Sequence, residues 1–114
     1  MLMTFERPDP HTLLRAYSAE LPLPVESVTE ALASLLSPVQ VYTDLLVVQG
    51  GWWYRAEYRV VAVEGGSRID HELLNVASPA HWAGPITGRA SIRDAEAAFA
   101  RLVEGVRSAV ARKA

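Results

Sequence analysis

Two hydrophobic periods alternate along the chain, and their order predicts a β-α-β-β-β-α arrangement. Residues 11–21 are rich in Leu and Tyr and read as a first strand, closed by Pro22 and Pro24, since proline cannot donate to a sheet ladder. Pro24 is placed to open a helix, where its missing N–H costs nothing. Val28, Ala31, Leu32 and Leu35 follow at i, i+3, i+4, i+7, one apolar stripe, with Glu26 and Glu30 in the early turns and Ser37-Pro38 as the stop. The period then changes to two. Residues 40–49, 52–64 and 67–77 read as three strands of an antiparallel meander, separated by Gly50-Gly51 and Gly65-Gly66 as two-residue turns. Residues 78–90 hold two prolines and two glycines and read as a loop. From Ser91 onward, Ala95, Phe99, Leu102, Val103, Val106 and Val110 recur at helical spacing, with Ser91 and Asp94 spaced as a capping box. A helix of about twenty residues would run about 30 Å and cross the whole sheet. The expected fold class is α+β, about four antiparallel strands packed on a long C-terminal helix. Residues 1–10 are expected to be a loose arm and 11–114 a single domain.

Alternation in the central strand decides which face is inside. Trp52, Tyr54, Ala56, Tyr58, Val60 and Ala62 carry no charge, while the other face carries Arg55, Glu57 and Arg59. Burying charge without a partner is costly, so the first set is expected to face the core and the second solvent. A two-residue turn at Gly65-Gly66 sets Ala62 opposite Ile69, Val60 opposite His71, Tyr58 opposite Leu73 and Ala56 opposite Asn75, all inward, with Arg59 opposite Glu72 outward. A two-residue turn at Gly50-Gly51 sets Tyr54 opposite Val47, Ala56 opposite Leu45 and Tyr58 opposite Thr43, with Asp44 opposite Glu57 outside. Both turns give the same inner face, and a one-residue slip would invert it.

Composition narrows the function. Eleven basic and thirteen acidic residues leave a formal charge of −2, too balanced for a nucleic-acid surface. There is no cysteine, which excludes disulfides and thiolate chemistry. His11, His71 and His81 have no metal-site spacing, so no metal or cofactor is expected. No apolar run reaches the about 20 residues that span a bilayer, and the first residues lack a signal-like core. A cytoplasmic protein is expected. The dominance of Arg over Lys suggests a bacterial, GC-rich coding sequence.

The inner face gathers the candidate chemistry. His71 is its sole histidine and has an unperturbed pKa near neutrality, so it is the candidate acid/base; the competing reading is a hydrogen-bonded core histidine. Tyr54 and Tyr58 bring apolar rings with polar tips, and Thr43 and Asn75 add polar groups to the same face. Trp82, in the loop before the last helix, is placed to close a pocket or to plug the end of the sheet. Trp53, with Tyr42, Leu46 and Val48, would form an exposed apolar patch on the opposite face, for which a homodimer is the simplest cover.

The order of elements resembles the START-like helix-grip superfamily, also called SRPBCC or polyketide-cyclase-like, through LPLPVESVTEALASL, YRAEYRVVAVEGGSRIDHELL and AAFARLVEGVRSAV. The resemblance implies strands gripping the final helix around an apolar pocket, here in a reduced version with fewer strands. It implies binding of an apolar or aromatic small molecule, with a cyclase- or dehydratase-like reaction at His71 as one branch. The alternative from another class is a non-catalytic homodimeric or chaperone-like module with a filled core.

Overall fold

The computed structural model describes residues 11–50, 53–77 and 89–113. It contains β1 (Thr12–Leu21), α1 (Val25–Leu35), β2 (Gln40–Tyr42), β3 (Leu45–Gly50), β4 (Tyr54–Val63), β5 (Gly66–Asn75), α2 (Arg89–Arg93) and α3 (Ala95–Lys113). The class is α+β. The five strands form one antiparallel sheet in the order β1-β5-β4-β3-β2. The strand count rises from four to five because Thr43-Asp44 makes a tight turn inside the segment expected to be continuous. The residues of the expected N-terminal arm lie outside those described.

The two longer helices, α1 and α3, pack on one face. Val28, Ala31 and Leu32 of α1 meet Leu46, Ala56, Tyr58 and Ile69 of the sheet and Phe99 and Val106 of α3 in the main core. Leu35 departs from the predicted stripe: it is 45% exposed, with its side chain lying over Gly105 of α3 rather than on the sheet. Lys113 closes the far end of the helix pair by ion-pairing with Glu30. A second cluster unites Trp53, Leu73, Ala77, Ile92 and Ala95.

The β4–β5 register is Tyr54–Asn75, Ala56–Leu73, Tyr58–His71, Val60–Ile69 and Ala62–Ser67. The turn is Glu64-Gly65, with Gly65 at φ 86°, not Gly65-Gly66. Each expected pair is therefore displaced by two residues, and an even displacement leaves every side chain on its expected face. Gly66 opens β5 directly beneath the link from β1 to α1. A Cβ there would strike the Leu21 carbonyl oxygen and come within 2.9 Å of Leu23 N and Pro22 Cα. Ser67 Oγ, next along, donates to the Leu23 carbonyl at 2.8 Å and pins the same crossing.

The β3–β4 register is Leu46–Tyr58, Val48–Ala56 and Gly50–Tyr54. Three residues, not two, separate the paired Gly50 and Tyr54, and the expected pairing is displaced by an odd number. β3 is consequently inverted. Leu46, 4% exposed, and the half-buried Val48 pack inward, and Val47 takes the place opposite Glu57 that was expected for Asp44. Trp53 sits in the turn before β4, where strand alternation does not apply, and is buried among Leu73, Ile92 and Ala95. The expected exposed patch of Tyr42, Leu46, Val48 and Trp53 does not exist as one surface.

The charged face also differs from expectation. Arg55 and Glu57 are buried, at 4% and 1% exposure, beside the buried Leu45, Val47 and Leu74. Arg55 Nε donates to Glu57 Oε2 at 3.0 Å and Arg55 Nη1 to Gln49 Oε1 at 2.8 Å. Glu57 lies directly opposite Glu72, and Arg59 offsets the like charges by reaching both, at 3.9 Å and 3.6 Å. Arg59 itself is registered against Asp70.

Candidate functional site

A row of rings crosses three strands on the inner face. Register places Tyr17 of β1 opposite His71 of β5, and His71 opposite Tyr58 of β4. The His71 and Tyr58 rings stack at 4.3 Å between centroids with 6° between planes. Phe99 of α3 descends onto the row, 5.4 Å from His71 and 5.9 Å from Tyr17. Stacked aromatic pairs of this kind add about 0.5–1.5 kcal/mol each beyond their buried area.

Beside the row lies a cleft of about 570 Å³, open along one side. Tyr54, Tyr58, His71 and Leu73 form its sheet wall, and Phe99, Ala95, Ala98 and Asp94 belong to its helix wall. The space has a simple origin. Ala90, Asp94 and Ala98 repeat every four residues across the α2–α3 junction, so a line of short side chains lies over the sheet between the two packed clusters. The junction keeps helical hydrogen bonding, from Asp94 N to Ala90 O at 3.0 Å and from Ala98 N to Asp94 O at 2.9 Å. Ser91 falls within α2, and α3 begins at Ala95 rather than directly after Ser91.

His71 is 5% exposed, and its Nδ1 lies 3.2 Å from the Glu57 carbonyl oxygen. A carbonyl only accepts, so the bond requires the proton on Nδ1 and leaves the Nε2 lone pair free. Nε2 has no hydrogen bond to any of the described residues. Burial lowers the His71 pKa below 6.5, opposed by the bond to Glu57 and by the charge of Glu72. The ring is thus neutral at pH 7. Asp70 and Glu72 flank it in sequence but belong to the other face, where they pair with Arg68 and Arg59. Burial raises the Tyr54 hydroxyl pKa, and that of Tyr58 more strongly, with the Tyr54 charge adding to it; both phenols remain neutral donors.

The depressed histidine predicts a pH effect on stability. The unfolded chain binds the His71 proton more readily than the folded one, so this contribution is complete above about pH 6.5 and is lost as pH falls through 6.5 toward the lower folded pKa. Urea unfolding at pH 7.5 and 5.5 is expected to show a smaller loss of stability for His71→Gln than for the unsubstituted chain. Equal losses would contradict the assignment.

Of the predicted site residues, the structure brings Tyr54, Tyr58 and His71 together in the cleft. Thr43 is not there: it is exposed in the β2–β3 turn and borders a separate hollow with Val25 and Thr29. Asn75 is not there either. It is 2% exposed, and its Oδ1 accepts from Ala77 N at 3.1 Å, which shapes the exit from β5. Trp82 and His81 lie outside the described residues. Tyr17, Asp94 and the alanine line escaped the sequence reading. The sequence pattern reads Asp94 as part of a helix cap, and the four-residue repeat of the short side chains Ala90, Asp94 and Ala98 is the one signal in it of a thin wall.

Among the described residues no group of side chains is arranged to hold a metal ion, and no helix is long and apolar enough to cross a membrane. Comparison with known proteins returns no match, whether to a family model, a curated protein or a solved structure.

Proposed function

We propose that the chain binds an apolar or aromatic small molecule in the cleft between the sheet and α3, as a reduced helix-grip-like binding domain. The observation that carries this is the cleft itself. It has the size of a small-molecule site, about 300–1,000 Å³, and combines aromatic walls with a few convergent polar groups. The Tyr54 and Tyr58 hydroxyls would hold a ligand oxygen, and the rings of Tyr58 and Phe99 its apolar body. The resemblance to the helix-grip superfamily adds to this reading through the antiparallel sheet with a long terminal helix laid on one face.

A branch of the reading adds proton transfer. The free Nε2 of a neutral His71, in a cleft that also holds the Asp94 carboxylate, suits a general base for a cyclisation or dehydration.

Titration with 1-naphthol, a neutral bicyclic phenol, tests the binding reading by calorimetry. Saturable binding of one molecule per chain is expected, and the absence of saturable binding up to the solubility of the probe would reject it.

A further inference from the structure

On the other side of α2 from the cleft, three guanidinium groups share one groove. Arg15 of β1 and Arg89 and Arg93 of α2 line a space of about 390 Å³ together with Tyr17, Ile92 and Glu96. Arg89 and Arg93 are one helical turn apart, so both project toward the same strand. All three are exposed. None is in an ion pair with any described residue, whereas Arg55, Arg59, Arg68 and Arg107 each have a carboxylate within reach. Among the described residues, Arg15 donates to the neighbouring Leu14 carbonyl alone, at 2.7 Å. Three cations against the single carboxylate of Glu96 leave the groove with two positive charges in excess. The groove continues along the edge of the sheet. Tyr17 and Glu96 also line the next hollow, about 370 Å³, whose walls are Ala19, Phe99, Ala100 and Val103.

We propose that this groove binds a small phosphate monoester: the phosphate group between Arg15, Arg89 and Arg93, and the apolar body along Phe99 and Val103. A phosphate monoester carries about two negative charges at neutral pH and presents acceptor oxygens that match the guanidinium fork. The charge excess of the groove fits that group better than a single carboxylate. The charged end of the site shares no residue with the cleft, whereas its apolar end shares Phe99.

Phenyl phosphate, inorganic phosphate and phenol are titrated separately into the full chain at ionic strength held constant with NaCl, which fixes the screening of exposed charges. Phenyl phosphate is expected to saturate, to bind more tightly than inorganic phosphate, and to shift the amide signals of residues 15–19 and 89–103. Arg89→Gln/Arg93→Gln is expected to weaken it at least tenfold, and Arg15→Gln, on a separate element, to weaken it as well. Circular dichroism of each variant establishes that the fold is kept. Phenol shifting the amide signals of Arg15, Arg89 and Arg93, which lie outside the cleft, as much as phenyl phosphate does, or affinity for phenyl phosphate unchanged in the arginine variants, would overturn the proposal. So would capture by vesicles of phosphatidic acid in phosphatidylcholine without binding of phenyl phosphate, which would make the groove a membrane contact.

Discussion

Gly66→Ala is expected to destabilise the chain by about 3 kcal/mol or more, at the upper end of the cost of forcing an extra carbon into a packed position. The cause is backbone against backbone. The new Cβ would meet the Leu21 carbonyl, Leu23 N and Pro22 Cα, none of which can rotate away as a side chain could. Relief would require lifting the link between β1 and α1 off β5. That movement would break the bond from Ser67 Oγ to the Leu23 carbonyl and loosen Leu21, a buried member of the core. Gly65→Ala serves as the contrast. Its site is open, and only the positive φ opposes a side chain, at a cost of about 1–2 kcal/mol. Urea unfolding of the two variants checks the ranking; equal losses would show that the crossing is not tight.

The second large effect concerns binding. Ala98 is an exposed helix residue on the wall of the cleft, at the point where short side chains leave the space. Ala98→Trp is expected to fill that space and weaken 1-naphthol binding at least tenfold, while changing stability little, because the position contributes almost nothing to either packed cluster. Ala98→Leu is expected to give an intermediate loss. Unchanged affinity in a folded Ala98→Trp variant would place the probe elsewhere.

The inner face of β4 and β5 was legible in the sequence, and the reason is arithmetical. The turn was misplaced, but the resulting error was two residues, which preserves parity. The same reasoning failed one strand earlier. Three residues between Gly50 and Tyr54, where two were expected, gave an odd error, and Leu46 and Val48 exchanged faces with Leu45 and Val47. Nothing in QVYTDLLVVQ resisted the inversion, because apolar residues occupy both parities from Leu45 to Val48. A strand without alternation carries no register signal of its own.

Charge was an equally incomplete guide. The cost of burying unpaired charge assigns Arg55 and Glu57 to solvent, yet they are buried as a pair, with Gln49 and Arg59 as further partners. The rule concerns partners more than charge itself, and partners two positions apart on one strand were visible in the sequence. The site was half legible. Tyr54, Tyr58 and His71 followed from parity. Tyr17 required the pairing of β1 with β5, a contact between distant segments that no local pattern announces.

In the binding reading, an apolar molecule enters beside the ring row under α3. A competing apolar groove of about 420 Å³ lies between α1 and the end of α3, lined in part by Ala31, Leu35 and Val110. Nuclear Overhauser contacts between bound 1-naphthol and the protein decide between them. Contacts to the ring protons of Tyr58, His71 and Phe99 are expected. Contacts to Leu35 and Val110, with none to His71, would contradict it.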